Sequence, residues 1–240
     1  MITAAIFRRC RTRAGAFCVI GYNALMSVDL PRLMLVIDRT LYRTREDEAP
    51  LSLVDEAIAG GVSLVQMRTR ASQGDDLGMY AIALRLREIT RARVPLIVTD
   101  DLHLAEKCQA DGLLLTSEHS YRPTAVREYV RTVPSLVGCF AMSVRAAARA
   151  ERGGADFVQV GPVFGRGVEE NGEDGLSLVR KVRDAIHLPI VAFGGIASPD
   201  LAAAAITAGA SGIAVSESVL SAPDPRKAAE DLASVINELL

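Results

Sequence analysis

From Leu33 to Glu217 the chain alternates short apolar runs with longer amphipathic stretches. The runs are LMLVID (33–38), VSLVQM (62–67), PLIVTD (95–100), GLLLT (112–116), LVGCFA (136–141), FVQVGPV (157–163), PIVAFGG (189–195) and GIAVSE (212–217). Most are unbroken apolar stretches, the pattern of strands covered on both faces. Between them apolar residues recur at helical spacing. Met79, Ile82, Leu86 and Ile89 form one such stripe; Val126, Tyr129, Val130 and Val133 form another. Leu178, Val179, Val182 and Ile186 form a third, and Leu232, Val235, Ile236 and Leu239 a fourth. Glycines at 60–61, 153–154 and 209 fall where helices must stop. Strand then helix, eight times over, predicts an α/β fold of the (β/α)8 TIM barrel type. It occupies residues 31–240 as a single domain, with residues 1–30 as a poorly ordered N-terminal tail. A doubly wound open sheet would carry a Gly-rich turn after its first strand. The segment IDRTLYR has no glycine there.

Polar residues that break into the apolar runs are the candidate chemistry. In LVQMRTR (64–70) Gln66, Arg68 and Arg70 sit two apart, so they leave one face of a strand. Active sites of such barrels form at the C-terminal strand ends. Gln66 is therefore expected inside the barrel, with Arg68 and Arg70 at its mouth, where forked cations suit phosphate. The first strand ends in Asp38-Arg39 and the third in Thr99-Asp100-Asp101. Asp101 is the better helix cap and Asp100 the better inward ligand; a carboxylate beside phosphate suits Mg²⁺. Gly194 and Gly195 end the seventh strand and allow close approach of backbone N–H groups to an anion. Ser198-Pro199-Asp200 then reads as a helix start. Ser216 follows the eighth strand, and loops after strands seven and eight commonly cradle phosphate. Arg166 lies between two glycines in GPVFGRG, a loop able to grip phosphate. His119, beyond the fourth strand, is a candidate general acid/base or an exposed loop histidine.

Composition narrows the classes. The formal net charge is −2, which gives no field to gather nucleic acid or an anionic membrane. There is no Trp, and aromatics make up 5%, against a stacking platform for single-stranded nucleic acid. The expected partners are small phosphorylated molecules. Cys10, Cys18, Cys108 and Cys139 form no Cys-x-x-Cys pair, so reduced thiols in a cytoplasmic protein are the reading. Arg8, Arg9, Arg11 and Arg13 precede an apolar run that lacks a clean small-x-small cleavage site and is too short to span a membrane. Met26 would be a natural start.

As a set, these segments resemble the thiamine phosphate synthase and thiazole tautomerase family. LVIDR is similar to its first strand, LVQMRTR to a Gln-x-Arg-x-Lys strand end, and IVTDDLHLA to an Asn-Asp strand end with its helix. ADGLLL, GADFVQVGPVF, PIVAFGGI and AGASGIAV continue in the family's order. The resemblance runs from about Leu33 to about Leu220. It implies a phosphate-binding barrel that joins a hydroxymethylpyrimidine diphosphate to a thiazole phosphate, releasing pyrophosphate. Gln66 would bind the pyrimidine, and Arg68 and Arg70 the diphosphate. Asp100 would hold Mg²⁺, and Gly194 and Gly195 would receive the thiazole phosphate.

The chain departs from that pattern at several positions. Thr99 stands for the usual asparagine, and His119 for a second Mg²⁺ carboxylate. Phe140 aligns with a serine. Arg166 and Glu169 replace a Thr-x-Thr-Lys loop. Glu217 falls where a serine is expected; its charge would repel a phosphate by about 1 kcal/mol or more unless it points away. The tautomerase branch moves a proton without metal, and its histidine aligns with Met142. A relocated base at His119 would suit that reaction. A catalytically silent phosphate-binding regulator is a further alternative.

Overall fold

The computed structural model describes residues 32–38, 49–68, 76–116, 123–129, 136–165 and 174–240, together with three two-residue strands at Cys10–Arg11, Phe17–Cys18 and Ser27–Val28. Those three pair as a small antiparallel sheet.

Eight parallel strands close a barrel. They are β1 (Leu33–Asp38), β2 (Leu64–Arg68), β3 (Leu96–Thr99), β4 (Gly112–Leu115), β5 (Leu136–Ala141), β6 (Phe157–Val160), β7 (Ile190–Phe193) and β8 (Gly212–Val215). Each strand pairs with the next in sequence, and β8 closes on β1. Closure excludes the open-sheet alternative. The helices are α1 (Ala49–Ala59), α2 (Asp76–Thr90), α3 (Leu102–Lys107), α4 (Pro123–Tyr129), α5 (Val144–Arg152), α6 (Gly175–Ala185), α7 (Pro199–Thr207), α8 (Glu217–Leu220) and α9 (Pro225–Leu239).

Period-2 alternation along each strand separates two cores. Met34, Val36, Leu64, Ile97, Leu114, Leu136, Phe157, Val191 and Ala214 fill the barrel interior. The alternate residues, such as Leu35, Val65, Val98 and Ala192, pack outward against the helices. Inside, Gly138 of β5 makes room for its register partner Phe157: a Cβ at 138 would lie 2.2 Å from the ring. The α6 stripe is buried as expected, and so are Leu232 and Ile236 of α9. Leu239, expected on the same stripe, is exposed, because it falls in the final turn beyond the packed part of the helix.

The N-terminal end of the barrel repeats one device four times. Helices α1, α3, α5 and α7 each end near a residue of positive φ, namely Gly61, Gln109, Gly154 and Gly209. The next residue (Val62, Ala110, Ala155 or Ala210) bonds back to a carbonyl five residues earlier, at 2.9–3.2 Å, which stops the helix. The residue after that is Ser63, Asp111, Asp156 or Ser211. Its N–H donates to the carbonyl of Leu33, Leu96, Val137 or Ile190 on the preceding strand, at 2.7–2.9 Å. Its side-chain oxygen accepts that same residue's N–H, at 3.1, 2.8, 2.9 and 3.5 Å in chain order. Every even-numbered strand is thereby clamped to the odd-numbered strand before it. Among the described residues no helix is long and apolar enough to cross a membrane.

Candidate active site

The C-terminal strand ends gather polar groups of quite different kinds. Asp38 and Arg68 are register partners at the ends of β1 and β2, 3.8 Å apart. The Arg68 guanidinium also lies over the ring of Phe193, at the end of β7, 5.7 Å from its centroid. Phe193 meets Phe140 of β5 edge to face at 6.1 Å. Side chains from β1, β2, β5 and β7 therefore share one mouth. Phe193 directly precedes Gly194, so Arg68 and the Gly194-Gly195 turn stand on the same rim.

That turn can only be made by glycine. Gly194 and Gly195 have φ of +100° and +69°. A Cβ on Gly195 would lie 2.4 Å from the Phe164 carbonyl, and one on Gly194 would lie 2.9 Å from Pro162. The β6 loop lies directly against the turn: Val163 N–H donates to the Phe193 carbonyl at 2.9 Å, and Phe164 N–H to the Gly194 carbonyl at 3.0 Å. Beyond it, Ser198 caps α7 by accepting from Leu201 N–H, with Pro199 in its first turn, as the sequence pattern anticipates. Ser216 precedes the short α8, and its hydroxyl makes no capping bond to that helix. Glu217 is exposed.

Of the two aspartates that end β3, Asp101 takes the capping role expected of it. Asp101 caps α3 through Leu104 N–H at 2.8 Å. Asp100 adopts φ +57°, a left-handed conformation that a non-glycine residue holds only when its surroundings support it. The support comes from β4. Asp100 N–H donates to the Leu114 carbonyl at 3.0 Å, and its carboxylate accepts Thr116 N–H at 2.7 Å and the Thr116 hydroxyl.

Below the rim lies a buried polar layer. Gln66 is 1% exposed, points into the barrel, and donates through Nε2 to Thr99 Oγ1 at 3.0 Å. Its Oε1 accepts from Gln159 Nε2 of β6 at 2.9 Å. Gln159 Nε2 also lies 3.5 Å from Met34 Sδ. A mostly apolar interior thus holds a connected amide–amide–hydroxyl chain, which satisfies groups that would be costly to bury alone.

Arg70, His119 and Arg166, expected at this mouth, lie outside the described residues, as does Glu169. His103 sits in α3 and His187 just after α6, and neither belongs to the rim. Burial pushes the Cys108 thiol up, so it stays protonated and is no nucleophile at neutral pH. Sequence reasoning passed over Gln159, Thr116 and Phe193 as site residues. Gln159 carried a usable signal: it is the single amide in the apolar run FVQVGPV, two residues before a glycine, just as Gln66 stands two before Arg68.

Comparison with known proteins identifies relatives of this chain. The thiamine monophosphate synthase family model matches residues 33–219. A thiamine-phosphate synthase of Natronomonas pharaonis is 36% identical over 189 residues, 77% of this chain and 86% of that protein. One of Pyrococcus furiosus is 34% identical over 212 residues, 87% and 96% of the two chains. The solved thiamine phosphate pyrophosphorylase from Pyrococcus furiosus superposes with a TM-score of 0.73 at 31% identity, covering 87% of this chain and 96% of that one. The (S)-3-O-geranylgeranylglyceryl phosphate synthase of Thermoplasma acidophilum, at 14% identity and TM-score 0.64, shares the fold alone. The chain belongs to the thiamine monophosphate synthase family.

Proposed function

We propose that the chain is a thiamine-phosphate synthase, a cytoplasmic transferase. It joins hydroxymethylpyrimidine diphosphate to thiazole phosphate and releases pyrophosphate. One observation carries this beyond family membership: Arg68 stands on the same rim as the Gly194-Gly195 turn, linked to it through Phe193. Two anion sites on one mouth suit two phosphorylated substrates.

In the reaction the bond between the pyrimidine methylene carbon and the diphosphate oxygen breaks, and its electron pair leaves with pyrophosphate. The thiazole nitrogen lone pair forms the new C–N bond. Negative charge builds on the leaving oxygens and positive charge on the carbon. Arg68, with Arg70, holds the diphosphate and stabilises that developing charge. Gln66 binds the pyrimidine. Gly194, Gly195 and Ser216 take the thiazole phosphate, with Arg166 as a further cation for it. Phe140 and Phe193 offer aromatic edges and faces to the two flat rings. His119, the candidate acid/base, has no proton to move in this displacement and would serve the alternative proton-transfer reaction instead.

Mg²⁺ is the implied cofactor. Among the described residues no three His, Cys, Asp or Glu side chains converge on a metal position. Mg²⁺ nevertheless binds well to one carboxylate plus substrate phosphates. Asp100 fits that part: each carboxylate oxygen has two lone pairs, and Thr116 bonds fix the group in place. When bound, the ion would neutralise charge on the departing pyrophosphate.

The tautomerase reading is weaker, because Met142, which aligns with that branch's histidine, cannot take up a proton. Purified protein incubated with both substrates and Mg²⁺ should form thiamine phosphate and pyrophosphate in equal amounts. Tight substrate binding with no product would replace the synthase by a silent binder. Isomerisation of a thiazole phosphate carboxylate in chelator would replace it by the tautomerase.

A further inference from the structure

We infer that Gln159 is a positioning residue, which sets the hydrogen-bond polarity that Gln66 presents to the pyrimidine. The inference rests on the proposed synthase reading for the identity of that ligand.

Strands β2 and β6 are diametrically opposite in the eight-stranded ring. Gln66 and Gln159 therefore meet across the full width of the barrel, and their 2.9 Å bond spans it. Both are almost completely buried, at 1% and 2% exposure. A carboxamide has a donor end and an acceptor end of nearly equal size, so packing alone hardly distinguishes its two orientations. Hydrogen bonds must choose. Gln159 directs an N–H at the Gln66 oxygen, which faces that oxygen toward β6. The Gln66 nitrogen then turns to Thr99 on β3, which accepts at 3.0 Å. Donation runs one way, from Gln159 to Gln66 to Thr99.

This layer lies directly below the rim, shielded from solvent. Two residues on, along the same strand faces, stand Arg68 on β2 and Gly161 on β6. A Cβ at Gly161 would lie 2.1 Å from the Phe193 carbonyl, so the layer abuts the β7 end that carries the glycine turn. A flat heteroaromatic ring entering beside Arg68 would meet an amide of fixed polarity. The hydrogen-bond pattern of the ring, rather than its size, is what such a layer reads.

The variants Gln159→Met and Gln159→Glu separate the possibilities. Methionine keeps the volume and removes the donor. Glutamate offers an acceptor, so Gln66 turns its N–H toward β6 and its oxygen toward Thr99. Steady-state kinetics of the whole chain with each substrate varied in turn is the readout. For Gln159→Met the KM for hydroxymethylpyrimidine diphosphate should rise about tenfold, as for loss of one oriented buried hydrogen bond. For Gln159→Glu it should rise further. The KM for thiazole phosphate should move less than about twofold in both. A purely structural role would lower the melting temperature and shift both constants together; equal shifts, or none, overturn the inference. Calorimetry with hydroxymethylpyrimidine diphosphate alone keeps the two ideas apart. If the wild-type chain binds it without turnover and Gln159→Met weakens that binding about tenfold, the synthase reading falls and the role of Gln159 stands. If the wild-type chain does not bind it, both fall.

Discussion

The two ends of the barrel are built on opposite principles. At the N-terminal end, Ser63, Asp111, Asp156 and Ser211 repeat one clamp on four strand pairs, each side chain answering the backbone of its neighbour. At the C-terminal end the described strand ends differ from one another. Arg68 lies between Asp38 and Phe193, Asp100 is tied to Thr116, and the β7 turn is glycine packed against the β6 loop. Uniform local hydrogen bonds make a rigid base. Diverse side chains reaching across strands make a chemical surface. Substitutions below should therefore cost stability and leave turnover intact, whereas side-chain substitutions above should do the reverse; the backbone turn at Gly194-Gly195, which the fold itself packs against, is the exception.

The largest expected effect is at the mouth. Arg68→Met should lower kcat by about 10²–10³, the scale for removing one preorganised charge partner of a transition state. Its melting temperature should stay near wild type, because the side chain is half exposed and its ion pair with Asp38 is long. A stability loss that matches the activity loss would erase the distinction between the two ends.

Gly195→Ala should be costly in both respects. The backbone at φ +69° and the 2.4 Å approach to the Phe164 carbonyl force the turn to move, at about 1–3 kcal/mol. Activity should fall with a raised KM for thiazole phosphate. Denaturant titration and kinetics on the same preparation check this together.

Asp156→Ala tests the base. Removing the carboxylate leaves the buried Val137 N–H without its side-chain acceptor, for a loss of about 1–3 kcal/mol in unfolding free energy. Both KM values should be unchanged. Loss of activity in protein that is fully folded would contradict the division of labour.

The smallest effect is a gain. Gln109 is the one position of the fourfold repeat where a side chain occupies the left-handed conformation, with φ +53°. Gln109→Gly should stabilise the protein by about 1 kcal/mol, the cost of holding an L-residue there. Unfolding curves would show it, with kinetics unaltered.

How far the sequence discloses this molecule follows from the range of each interaction. The strands are legible because both their faces are covered and the apolar runs are nearly continuous. Their ends are less so. The run expected through Val163 stops as a strand at Val160, because Gly161-Pro162 follows and proline lacks the N–H a ladder needs. The run through Gly195 stops at Phe193, where Gly194 leaves the extended region. Parity along β2 places Gln66 inside and Arg68 at the rim, and both stand there. The cap at Asp101 was readable from its place before Leu102. The links from Arg68 to Phe193, from Gln66 to Gln159 and from Asp100 to Thr116 were not, since they join different strands through closure of the barrel. The fourfold clamp was half visible: glycines mark three of its helix stops, but Gln109 hides the remaining one.

We assign the cations of an early strand and the glycine turn of a late one to the same pair of phosphorylated groups. A crystal structure of the protein with Mg²⁺, pyrophosphate and thiamine phosphate tests this assignment most directly. Pyrophosphate oxygens should lie within hydrogen-bond distance of Arg68 and the product's phosphate against the N–H groups of Gly194 and Gly195, both above the Gln66–Gln159 layer. Ligands bound away from that rim, or a mouth filled by the protein's own loops, would contradict it.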